Sequence, residues 1–127
     1  IDVLAVTELR WKGTGAMDLN DSQFRFYYAG PDGNTAPPGT GFIVSRRIQS
    51  KIVKFQRIGP RISTLDVDTG SRTLRLFSVY APASSTRNGE DDDRNDEEFE
   101  GLLETLGQEL DRAPYPIILG DLNAKMG

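Results

Sequence analysis

Apolar and polar positions along the chain fall into two regimes. As far as Pro82 the apolar residues come in short runs or alternate with polar ones; beyond it they return every three or four positions. The first pattern is that of strands, with period two, and the second that of a helix. "IDVLAVTEL" opens with the run Val3 to Val6, of the kind that forms a buried strand. "RWKGTGAMDLND" is polar and glycine-bearing and reads as a loop. In "FRFYYAG", Phe24, Phe26 and Tyr28 share one face and Arg25 and Tyr27 the other, which predicts a half-buried strand. The density of Pro and Gly in "PDGNTAPPGTG" predicts an exposed loop. "GFIVSRR" reads as the next strand, and "IVKFQRI" and "ISTLDV" as two more, parted by Gly59-Pro60. The turn Asp68-Thr69-Gly70-Ser71 leads into "TLRLFSVYA", the strongest strand, as the second arm of a hairpin.

The change of regime passes through "ASSTRNGEDDDRNDEE", a small-residue loop that becomes an acidic run. Asn95 with Glu98 three positions later resembles a capping box. Phe99, Leu102, Leu103, Leu106 and Leu110 then lie on one face of an amphipathic helix. Its acidic first turn suits the positive end of the helix dipole. Pro114 and Pro116 end it, and "IIL" reads as a buried strand with Gly120-Asp121-Leu122-Asn123 at its C-terminal end. Strands, one clear helix and a closing strand, without repeat or linker, predict an α/β or α+β layered domain with the helix packed on a sheet.

Composition narrows the chemistry more than the fold. The 127 residues suit one modest domain with a core of its own. There is no cysteine and no histidine, so thiolate chemistry, disulfides and the commonest general base are all excluded from this chain. No apolar run approaches the roughly 20 residues that span a bilayer, so no membrane partner is expected. The net charge of −4 is unevenly spread: residues 1–80 carry eleven Lys/Arg and seven Asp/Glu, residues 81–127 four and twelve. Arg46, Arg47, Lys51, Lys54, Arg57 and Arg61 fall in one stretch without an acidic residue. Such a stretch is a solvated surface more often than a phosphate-binding patch, and it suits either.

Oxygen ligands remain. Asp121 and Asn123 are two apart at a strand end, so an extended backbone turns both side chains the same way. A carboxylate beside an amide suits a hard cation such as Mg²⁺, or a phosphoryl group; it equally suits an ordinary turn. Glu8 ends the strand "LAVTE" and Tyr80 the strand "LFSVY". Each alone is usually a solvated or half-buried side chain. Together they gain weight, because ligands gather at the carboxyl ends of strands.

"TELRW", "VYAP" and "GDLNAKMG", in this order, resemble the endonuclease/exonuclease/phosphatase superfamily with its DNase I-like fold. "YYAG", "GFIV" and "GPRIS" are most similar to the endonuclease domain of non-LTR retrotransposons. The resemblance implies a four-layer sandwich of mostly antiparallel strands, and a metal-dependent phosphodiester hydrolase acting on DNA. Glu8 would hold Mg²⁺ or Mn²⁺. Asp121 would orient the attacking water, Asn123 would contact the scissile phosphate, and Tyr80 would stabilise its developing charge. Arg10 and Trp11 would stand near the mouth of the site. The family's early Asn, its later Asp/Asn pair and its Asp-His pair have no counterpart in these residues. On that reading residues 1–127 are the N-terminal portion of the domain, truncated at both ends and without useful nuclease activity alone. A phosphoinositide phosphatase, a sphingomyelinase-like hydrolase, or a non-catalytic interaction relic with the acidic segment as its contact surface are the alternatives.

Overall fold

The computed structural model describes residues 2–33, 36–82 and 93–121, with 93–96 and 121 described by backbone alone. Among the described residues eight strands divide evenly between two sheets, and one long helix packs outside them, a mixed α/β sandwich. The first sheet has the order β1-β4-β3-β2, built from β1 (Val3–Leu9), β2 (Thr14–Leu19), β3 (Phe24–Ala29) and β4 (Gly39–Ser45). A short 3₁₀ turn (Arg46–Lys51) leads into the second sheet, order β5-β6-β7-β8. Its strands are β5 (Ile52–Gly59), β6 (Ile62–Asp68), β7 (Thr73–Tyr80) and β8 (Pro116–Asp121). Every pairing is antiparallel except β7 with β8, which are parallel and joined by the helix α1 (Asp93–Arg112). A parallel pair needs a crossover of this length, and the helix supplies it.

The alternation along β6 and β7 feeds two cores from one sheet. Leu65, Val67 and Leu76 point toward the first sheet and meet Phe42 and Val44 of β4, with Tyr27 and Phe55 packed alongside. Ile62, Phe77 and Val79 point the other way and meet Leu102 and Leu106 of α1. Burying a side chain such as Phe77 stabilises the fold by about 1.5–3 kcal/mol. Asp66 and Arg75 are opposite each other on β6 and β7, joined through two hydrogen bonds of 2.8 and 3.1 Å. The bond to Asp66 holds Arg75 above the usual guanidinium range. The Asp68–Ser71 turn closes as expected: Asp68 Oδ1 accepts from the Gly70 amide at 2.8 Å, and Gly70 takes φ +95°.

Several expectations need correction. "RWKGTGAMDLND" contains a strand, β2, whose Met17 and Leu19 alternate with Ala16 and Asp18 and pair against Phe26 and Phe24. β1 is an edge strand rather than a buried one, and Leu4 is exposed on it. β8 is also an outer strand, with Ile117 and Ile118 about 40% exposed rather than covered. The helix begins at Asp93, so Asn95 lies inside it and not at its cap. Leu103 stands off the buried helical face, which is carried by Phe99, Leu102, Leu106 and Leu110. No helix among the described residues is long and apolar enough to cross a membrane.

Candidate functional site

The two sheets pack with β1 over β7 and β8, so the C-terminal ends of three strands come to one end of the sandwich. The packing changes character toward that end. Where the middle of the interface is Phe42, Val44, Leu65 and Leu76, the end is stitched by hydrogen bonds. Ser78 Oγ donates to the Val6 carbonyl at 3.1 Å, and Thr40 Oγ1 to Ser63 Oγ at 2.7 Å, both hydroxyls being buried. Next outward, the Tyr80 hydroxyl donates to Glu8 Oε1 at 3.0 Å. Residues 72 positions apart thus meet across the sheets.

Each of these side chains is placed by its backbone. The pairing of β1 with β4 slips between Val6 and Leu9, and Glu8 within that irregularity takes φ +58°. A left-handed conformation costs a non-glycine residue about 1–2 kcal/mol, and it aims the Glu8 carboxylate where an unbroken strand would not. On β7, Tyr80 is the last strand residue and pairs with Asp121 of β8 in parallel register. That register depends on Gly120, which runs at φ +113° against β7: a Cβ there would lie 2.4 Å from the Val79 carbonyl oxygen. Only glycine fits so close an approach.

Of the residues expected from sequence, the structure brings Glu8 and Tyr80 into contact and sets the backbone of Asp121 beside Tyr80. Asn123 lies outside the described residues. Arg61, read from the sequence only as one member of a basic stretch, joins them. Its carbonyl accepts from the Tyr80 amide at 3.0 Å, and its guanidinium donates to the Tyr80 carbonyl at 3.3 Å. The same guanidinium lies 5.5 Å from the Tyr80 ring centroid and pairs with Glu98 of α1 at 3.3 Å. The side chain is only 15% exposed, so Arg61 clamps Tyr80 from behind. Counting outward from the Asp68–Ser71 turn would have found it, since pairing Ile62 with Val79 lays Arg61 beside Tyr80.

The rest of the basic stretch is partly spent on structure. Arg47 pairs with Asp2 at 2.7 Å and Arg57 with Asp32 at 3.2 Å. Just past Glu8, the exposed Arg10 and Lys12 flank Trp11, whose ring is 5.5 Å from that of Phe26 and 5.9 Å from that of Tyr28. Among the described residues no group of three or more Asp, Glu, His or Cys is gathered as a metal cluster.

The chain is 32% identical over its 127 residues to craniofacial development protein 2 of Tragulus javanicus, covering all of this chain and 21% of that protein. It is 31% identical over the same length to craniofacial development protein 2 of Bos taurus, of which it covers 20%. The chain therefore spans about a fifth of the length of the curated relatives it matches. No family model matches it. No solved structure matches it.

Proposed function

We propose that this chain carries the Glu, Tyr and Gly-Asp-x-Asn elements of a metal-dependent phosphodiester hydrolase of the endonuclease/exonuclease/phosphatase type, acting on DNA as the retroelement endonucleases do. The observation that supports it most is the Tyr80–Glu8 hydrogen bond of 3.0 Å at a strand end where Asp121 is Tyr80's neighbour in register. Residues from three strands, picked out separately for their chemistry, share one end of the sandwich.

The donor set suits a hard divalent cation. Glu8 is exposed, it holds one oxygen against a phenol, and every candidate ligand is an oxygen. Mg²⁺ binds through one or two carboxylates and keeps several waters, so the absence of a three-acid cluster among the described residues is compatible with it. Bound at Glu8, the ion would neutralise phosphate charge and lower the barrier to attack by water. The chain's own part is positional. Glu8 would hold the ion, Asp121 would accept a proton from the water it orients, and Asn123 would donate its amide to a phosphate oxygen. With Glu8 taken up by the ion, the Tyr80 hydroxyl that otherwise donates to it would turn its one hydrogen to the developing oxyanion. Arg61 holds Tyr80 in place through its carbonyl and ring.

Mn²⁺ binding to the 127-residue chain, followed by loss of the free-ion EPR signal, tests this reading. Glu8→Gln should weaken binding at least tenfold, an effect of the size seen when a ligand's support is lost. Binding unchanged in both Glu8→Gln and Asp121→Asn would sink the assignment. With no histidine to move a proton to the leaving oxygen, the chain alone is expected not to nick supercoiled plasmid in Mg²⁺. Robust nicking that Asp121→Ala abolishes would overturn that expectation.

A further inference from the structure

The outer face of the first sheet is unusually aromatic at the end that holds Glu8. Phe26 is buried there, Tyr28 is half-buried beside it, and Trp11 lies across both yet remains 49% exposed. An indole supported by two rings and open to solvent over half its surface is not filling a core. Its backbone is pinned as well: a Cβ at Gly30 would collide with the Trp11 carbonyl oxygen, and the Gly30 amide donates to the Gly13 carbonyl at 2.8 Å. The platform is therefore preformed, and a ligand landing on it pays little ordering cost.

The flanking charges say what kind of ligand. Arg10 and Lys12 are exposed on either side of Trp11 in sequence, and neither makes an ion pair with any described residue. Arg25, Arg47, Arg57, Arg61, Arg75 and Arg112 all do; Arg46, Lys51, Lys54 and Arg72 do not, but of these unpaired cations only Arg10 and Lys12 flank an exposed indole. Two uncommitted cations around an open indole form the pairing that single-stranded nucleic acid uses, phosphates on the cations and a base on the ring. A protein partner would be served by the aromatic surface but would leave the cations unexplained, in a chain whose net charge is −4. We infer that Arg10-Trp11-Lys12 is a stacking platform for an unpaired base of single-stranded nucleic acid. This rests on the phosphodiesterase reading and adds to it a binding surface that prefers a single strand to an intact duplex.

Trp11 is the only tryptophan, so it reports on itself. A labelled oligothymidylate of about ten nucleotides, matched to the site size of such surfaces, is titrated into the 127-residue chain at low salt. The expected result is a saturable quench of tryptophan emission that tracks the anisotropy of the label. Trp11→Leu, which keeps apolar bulk but has no ring, should weaken binding by roughly 5- to 150-fold, the range for loss of one stacked base. Trp11→Phe, which keeps a ring, should recover most of it. An RNA strand of the same length shows whether the platform distinguishes sugars. A duplex that binds as tightly as the single strand overturns the inference. So does a strand that binds without quenching Trp11, an unchanged affinity in Trp11→Leu, or no binding at all. Manganese binding at Glu8 that survives any of those results leaves the phosphodiesterase reading standing without the platform; loss of both removes both.

Discussion

At the scale of single residues, backbone conformation decides more of this site than side-chain chemistry does. Gly120 is the sharpest case. Alanine there would need φ +113° and would bring its methyl group to 2.4 Å from the Val79 carbonyl oxygen. Gly120→Ala is expected to cost about 2–3 kcal/mol in urea unfolding, the range for a residue forced into such a region, with β8 shifting away from β7. A change below half a kilocalorie would show that the β7–β8 approach is not as close as described. Two surface carboxylates make an independent prediction about pH. The hydrogen bond from Arg47 holds Asp2 below the usual value of 3.8, and the bond from Arg25 does the same for Asp18. Folded values lower than unfolded ones mean stability that is present above 3.8 and lost as pH falls through the folded values. Thermal melts of Asp2→Asn/Asp18→Asn should therefore fall below those of the parent chain at pH 6 and converge with them near pH 2. A gap that stayed constant across that range would contradict the assignment.

Elements were legible in proportion to how far their pattern depended on local sequence. The helix was, since Phe99, Leu102, Leu106 and Leu110 must share a face whatever they pack on. So was the β6–β7 hairpin, because the Asp68–Ser71 turn sets its own register. β2 was missed because its glycine and polar residues hide a short alternation that becomes a strand only when β3 pairs with it. The outer positions of β1 and β8 among the described strands were missed for a different reason: an apolar run predicts a strand but not its place in the sheet. In the site, Glu8 and Tyr80 were readable as strand ends. Their contact was not, because it depends on how two sheets stack. Arg61 was hidden inside a basic stretch whose members turn out to do separate jobs. The helix also offers an internal control on which apolar residues count. Leu106 is buried against Phe77 and Val79, whereas Leu103, three residues earlier, is 48% exposed. Leu106→Ala should destabilise by about 2–5 kcal/mol and Leu103→Ala by no more than about 0.5. Equal effects in chemical denaturation would mean that the helix docks on another face.

For the whole molecule the open question is how a sandwich covered by a helix on one side behaves in solution. β8 ends the second sheet among the described residues, so its outer edge presents amide and carbonyl groups with no strand beside them. The side chains do nothing to discourage pairing there. Tyr115, Ile117 and Ile118 are all about 40% exposed, and the strand carries no charge before Asp121. Natural edges are usually blunted by lysine, proline or a bulge, and here only Pro116, at the strand's first position, answers that description. The acidic half of the chain opposes association through its net charge. That repulsion is screened within about 8 Å at physiological ionic strength, whereas strand pairing acts at contact. The 127-residue chain is thus expected to self-associate in sedimentation velocity as concentration or salt rises. Ile118→Lys puts a charge on the outer strand and should return the chain to monomer, although the melting temperature should fall because Ile118 is the register partner of the buried Phe77. Association that persists in Ile118→Lys but disappears in Trp11→Leu would place the contact on the aromatic face of the first sheet, away from the β8 edge.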